Sequence, residues 1–235
     1  MAIRQTQRGI RAARERIGRI FTQRCFYLFV LLLAMVAVVP FIDTTETARV
    51  ALNAANAAIM IAAVAAVGRT VMSFVITLLL GSGMIAVQYL GLSLGDHNHI
   101  VHTWALGVAL YAVTICYLLA YVFRPEVMTS DKLFGAAAAY LLLGALWMLG
   151  YALVGHYYPG SFLVAGTPAQ PELIDLLYFS FTVLTSTGFG DIVPLTREAR
   201  AICTLEQLTG WIFTAILIAR LAGVYPPTAR DSGDD

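Results

Sequence analysis

Six long apolar runs, at roughly 25–42, 48–67, 70–94, 100–123, 132–155 and 199–223, leave this chain little choice of solvent. A helix of about 18 or more apolar residues is long enough to cross the hydrocarbon core of a bilayer. Inside lipid every backbone N–H and C=O must be satisfied within the protein, so each run is expected to be a helix. Composition agrees: 59% of the 235 residues are hydrophobic and only 12% are charged, which excludes an ordinary soluble domain. The expectation is an all-α membrane protein with six transmembrane helices.

The charges are segregated. Seven arginines, Arg4, Arg8, Arg11, Arg14, Arg16, Arg19 and Arg24, face one Glu15 in the first 24 residues. Short cytoplasmic loops collect Lys and Arg, so the N-terminus is placed inside. The loop with Asp43 and Glu46 then falls outside, Gly68-Arg69 inside, Leu92 to His99 outside, and Arg124 to Lys132 inside. Residues from Gly155 to Arg200 follow outside and the C-terminus inside; only Arg197 and Arg200 run against the bias. The basic stretch is longer than a signal peptide's, so the first run is read as a retained helix. Ile3, Ile10, Ile17 and Ile20 fall on one helical face among those arginines, which fits a helix lying on anionic lipid. A bare topology signal, or association of several such helices, fits the same pattern. Cys25, Cys116 and Cys203 are scattered through or beside apolar runs and read as packing residues.

One segment breaks the pattern. Pro171 to Thr185, "PELIDLLYFSFTVLT", is about four helical turns and too short to cross. Pro171 suits a first helical position, and Glu172 and Asp175 suit the positive end of a helix dipole. "TSTGFGD", Thr185 to Asp191, follows at once, and "IVPLTREAR" returns the chain to the outer surface. Bare backbone at membrane depth is tolerated only where protein buries it or where it lines a water-filled path.

A re-entrant half-helix followed by hydroxyl-x-Gly-aromatic-Gly-Asp resembles the pore loop of potassium channels. Ser186-Thr187-Gly188-Phe189-Gly190 lines up with the family's Thr-Val-Gly-Tyr-Gly filter, and Asp191 with its following aspartate. The likeness runs over about 70 residues, from the fifth apolar run through the sixth. It implies a re-entrant pore helix and selectivity filter between the fifth and sixth spans, with Thr185 to Asp191 binding K⁺. Carbonyl rings there replace the water of the ion, and Gly188 and Gly190 allow the backbone angles needed. Ser186 would supply the innermost hydroxyl ring where the family has Thr; Thr187 replaces Val and Phe189 replaces Tyr. The resemblance further implies a homotetramer, since one chain supplies one loop.

On the sixth run, Gly210 stands where family inner helices often hinge, although close packing of small residues explains a membrane glycine equally well. Thr214 and Ile218 are expected on the cavity face, and Tyr178, Thr182 and Glu206 as support behind the filter. K⁺ is then the permeant ion, with no cofactor and no other metal. The chain divides into a basic segment at 1–24, a four-helix membrane domain at 25–123, a pore domain at 132–223 and a short tail at 224–235. The resemblance places it in a cell membrane, by its size a prokaryotic inner membrane, with both termini cytoplasmic.

The fourth run, "IVHTWALGVALYAVTICYLLAYVF", contains no Arg or Lys. One charge moved through 100 mV is worth about 2.3 kcal/mol, so steep voltage gating needs several. A conventional voltage sensor is not expected, and the stimulus is left open. Asp96, His97, His99, His102 and His156 read as loop residues, with pH or metal sensing as the alternative. Asn53 and Asn56 read as interhelical hydrogen bonders, and Trp147, Tyr151, Tyr157 and Tyr158 as interface anchors or packing. The reading is a K⁺-selective channel. Its rivals are a non-selective cation channel and a non-conducting regulatory or structural subunit. An enzyme is not expected: HExxH does not occur, and no paired catalytic set stands at plausible spacing. Nothing in the chain points to nucleic acid.

Overall fold

In a computed structural model of the chain, residues 24–38, 41, 71–94, 99–125 and 129–224 are described. The basic N-terminal segment, the second apolar run with Asn53 and Asn56, the loop with Asp96 and His97, and the tail from 225 lie outside them. The fold forms two compact units, divided within one long helix between Leu143 and Gly144.

The first unit contains α1 (Arg24–Val38), α2 (Val71–Leu94), α3 (His99–Val122) and the first half of α4 (Ser130–Tyr157). Helices α2 and α3 pack on each other. Along α3 the buried residues Gly107, Leu110, Tyr111, Thr114, Ile115, Leu118 and Val122 recur every three or four positions, which makes one continuous stripe. Its threonines cost little in apolar surroundings, because their hydroxyls bond back along the helix. Thr103 reaches the His99 carbonyl and Thr114 the Leu110 carbonyl, each at 2.8 Å. At the start of α4, Asp131 accepts the Cys25 N–H at 3.0 Å and the Tyr121 hydroxyl at 2.8 Å. Lys132 lies over the Tyr121 ring at 5.9 Å.

The second unit contains the rest of α4, strands β1 (Phe162–Val164) and β2 (Thr167–Ala169), α5 (Leu173–Leu184), β3 (Ile192–Pro194) and α6 (Arg197–Val224). Among the described residues, α3, α4 and α6 are long and apolar enough to cross a membrane. Their ends fall within two residues of the fourth, fifth and sixth apolar runs. The three antiparallel strands, in order β2-β1-β3, correct the expectation of an all-helical chain. They pair the segment leaving α4 with the segment entering α6, in a register that sets Phe162 against Ala169 and Pro194. Phe162 is fully buried, edge-on to Tyr151 and Phe179 at 5.9 and 5.8 Å.

Helix α5 is also shorter than expected. Pro171 does not open it; Glu172 is the N-cap, extended at φ −71°, and its N–H donates to the Asp175 carboxylate at 3.2 Å. Asp175 thus closes an orphan donor as well as facing the positive end of the helix. At the other end, the Thr185 N–H and hydroxyl both turn back to the Phe181 carbonyl, at 3.1 and 2.7 Å.

Candidate functional site

Beyond α5 the backbone changes hand at every second residue. Ser186, Gly188 and Gly190 have φ of +57°, +56° and +81°, while Thr187 and Phe189 stay negative. Left-handed geometry is free for glycine but strained for Ser186, at about 1–2 kcal/mol. Alternating right- and left-handed residues bring successive N–H groups to one side, which leaves the carbonyls to the other. The N–H side is fixed by the helix: Thr187 and Gly188 both donate to the Thr182 carbonyl, at 2.8 and 3.2 Å. Behind this loop, Tyr178 stacks on Phe189 with ring centroids 6.2 Å apart.

Helix α6 meets the end of α5 at Gly210. A Cβ there would stand 2.3 Å from the Leu184 carbonyl oxygen, so only glycine permits the approach. One turn earlier, Glu206 is fully buried and receives the Tyr151 hydroxyl of α4. Its other oxygen lies 2.6 Å from the Ser180 hydroxyl of α5, which in turn lies 2.8 Å from the Gly144 carbonyl. The three helices of this unit therefore share one buried polar cluster. On the neighbouring face of α6, the Trp211 indole N–H donates to Ser186 Oγ at 2.9 Å, and Gln207 approaches the same oxygen at 3.4 Å. Between loop and helices lies a cavity of about 350 Å³, bordered by Phe179, Thr182, Gly188, Cys203 and Gln207.

The family described as "Ion channel" matches residues 142–225, which hold the short helix, the loop and α6. A voltage-gated inwardly rectifying potassium channel of Rattus norvegicus is 33% identical over 92 residues, 37% of this chain and 10% of the relative. Two pore potassium channel c of Oryza sativa subsp. japonica is 33% identical over 96 residues, 41% of this chain and 19% of the relative. Potassium channel protein kcv of Paramecium bursaria Chlorella virus 1 is 28% identical over 79 residues, 34% of this chain and 83% of the viral protein. Over these residues the chain matches the ion-channel family, and the relatives that share the stretch are potassium channels. It spans about a tenth of the length of the rat channel and a fifth of the rice channel. No solved structure matches it.

The pore-loop segment brings most of the expected residues into one place. Thr185 to Asp191 form a single loop; Tyr178 and Thr182 stand behind it, and Glu206 lies beneath α5 rather than against the loop itself. Thr182 contributes through its main-chain carbonyl, since its hydroxyl is bonded to the Phe179 carbonyl at 2.8 Å. Gly210 sits in a tight contact. Thr214 and Ile218 are exposed further along α6, and Thr214 bonds back to the Gly210 carbonyl at 3.0 Å. Sequence reasoning missed Ser180 and Trp211, marked Gln207 only as polar at membrane depth, and read Tyr151 as an anchor or packing residue. Tyr151 is fully buried and hydrogen-bonded, so the interface-anchor reading is corrected. Among the described residues no group of three or more His, Cys, Asp or Glu side chains is placed to hold a metal ion.

Proposed function

We propose that the chain is one subunit of a potassium-selective channel whose filter is the backbone of Thr185 to Asp191. Four copies around an axis would surround the ion with carbonyl rings, one loop from each. The observation that carries the reading is the alternation of hand at Ser186, Gly188 and Gly190, with the Thr187 and Gly188 N–H groups turned to α5. Such a backbone offers successive carbonyls on the side away from the helix, and a K⁺ ion shedding its water needs oxygens in that arrangement. The negative end of α5 adds a field that favours a cation beneath the loop. In this reading residues 25–123 form a separate four-helix membrane domain and 132–223 the pore domain. Residues 1–24 and 224–235 lie on the cytoplasmic side of a prokaryotic inner membrane, where the N-terminal arginines meet anionic lipid. Six spans and a tetramer complete it.

The test is a reversal potential. Purified protein in a planar bilayer, with K⁺ on one side and Na⁺ on the other, is expected to reverse near the K⁺ equilibrium potential. Current that reverses near zero would reject selectivity. A reconstituted tetramer without current in either ion would reject conduction.

A further inference from the structure

The polar residues of α6 do something beyond lining a helix: two of them point their donors at one hydroxyl of the loop. Ser186 Oγ receives the Trp211 indole N–H at 2.9 Å and has the Gln207 amide nitrogen at 3.4 Å. A hydroxyl oxygen has two lone pairs, and an indole nitrogen can only donate. A cation at the inner end of the loop would bind that oxygen through the same lone pairs. Accepting an N–H occupies one of them and draws electron density from the oxygen, which makes it a poorer ligand.

We propose that Trp211 sets cation affinity at the innermost position of the loop by capping the Ser186 hydroxyl; this rests on the filter reading above. The placement follows from the neighbouring glycine. Gly210 lets α6 approach the Leu184 carbonyl closely enough that the next residue, Trp211, reaches Ser186 two positions beyond Leu184. The ring is 66% exposed, so packing within its own chain does not hold it; the hydrogen bond orients it. Trp211, Thr214 and Ile218 are spaced three and four apart and share one face of α6. An ion moving between that face and the loop passes the indole, and the weakened hydroxyl ring releases it more readily.

Barium, a divalent cation close to potassium in size, is the probe. It is applied to the reconstituted channel from the side on which α6 ends. Trp211→Phe removes the N–H and keeps an aromatic ring, and block is expected to tighten by about fivefold or more. In a Ser186→Ala background the same change is expected to do nothing. Trp211→His, which retains a ring N–H, is expected to stay close to the parent. Trp211→Leu serves in place of the Phe variant if that protein does not assemble, with block tightened in the same direction. Unchanged or weakened block in the Phe or Leu variant, with K⁺-selective current intact, overturns the role of Trp211 and leaves the channel reading standing. Absence of K⁺-selective current in the parent protein overturns both.

Discussion

Replacing Gly210 by Ala separates two roles with opposite signs. A Cβ at this position would sit 2.3 Å from the Leu184 carbonyl oxygen, 3.1 Å from Leu184 Cδ1 and 3.2 Å from the Leu184 carbonyl carbon. Carbon–oxygen contacts settle at about 3.3–3.6 Å, so α6 and the end of α5 must part by about 1 Å. The obstacle is backbone, and Leu184 is the last residue of α5, so no side-chain rotation relieves it. Overpacking of this kind costs typically 1–3 kcal/mol, and a rigid main-chain neighbour puts it near 3. Alanine regains about 1 kcal/mol of helix propensity over glycine. The net expectation is a loss of about 2 kcal/mol, read as a lower unfolding midpoint of the purified protein in detergent. A glycine kept only as a hinge makes no such contact; there alanine would stabilise the helix by about 1 kcal/mol and alter gating alone. A Gly210→Ala protein as stable as the parent, or more so, would therefore refute the close-packing account.

Three further substitutions test the rest of the site. Glu206→Gln offers an acceptor to Tyr151 and an amide N–H to Ser180, leaving the single Ser180 proton for the Gly144 carbonyl. It is expected to match the parent in thermal unfolding, whereas Glu206→Ala strands the buried Tyr151 hydroxyl, Ser180 keeping the Gly144 carbonyl, and loses about 1–3 kcal/mol. Gly188→Ala meets no atom within 4 Å but forces a side chain to φ +56°, so we expect an assembled protein without K⁺ current; an unchanged reversal potential would count against the filter. Thr182→Val keeps the carbonyl that holds Thr187 and Gly188, and K⁺ selectivity in the bilayer is expected to persist at a stability cost of about 1 kcal/mol.

The long helices and the loop were legible because length, hydropathy and a run of Gly, Ser and Thr are local properties. Helices α3, α4 and α6 follow from apolar runs alone, and α5 from a run too short to span. The strands were not legible: three residues are too few for a period of two to show. Nor was the start of α5, where Asp175 made a good first-turn residue but its bond to the Glu172 N–H moved the cap past Pro171.

The polar cluster escaped for a different reason. Glu206 stood out as a charge at membrane depth, yet its partners Ser180 and Tyr151 lie 26 and 55 positions away and look unremarkable in apolar helices. A serine in such a helix ordinarily bonds to its own backbone, as Thr103 and Thr114 do. Ser180 instead spends its hydroxyl between helices, and the same is true of Ser186 toward Trp211. Both serines tie the short helix and its loop to longer helices: Ser180 at depth through Glu206 and Gly144, Ser186 at the turn through the indole. The strained, alternating loop is held from within, where the Thr185 and Thr187 hydroxyls meet at 2.8 Å across left-handed Ser186, and from outside by these side-chain ties and by the Ser186 N–H on the Val183 carbonyl. The buried cluster and the Trp211 contact are thus parts of one requirement, and the position of Gly210 makes both contacts possible from a single helix.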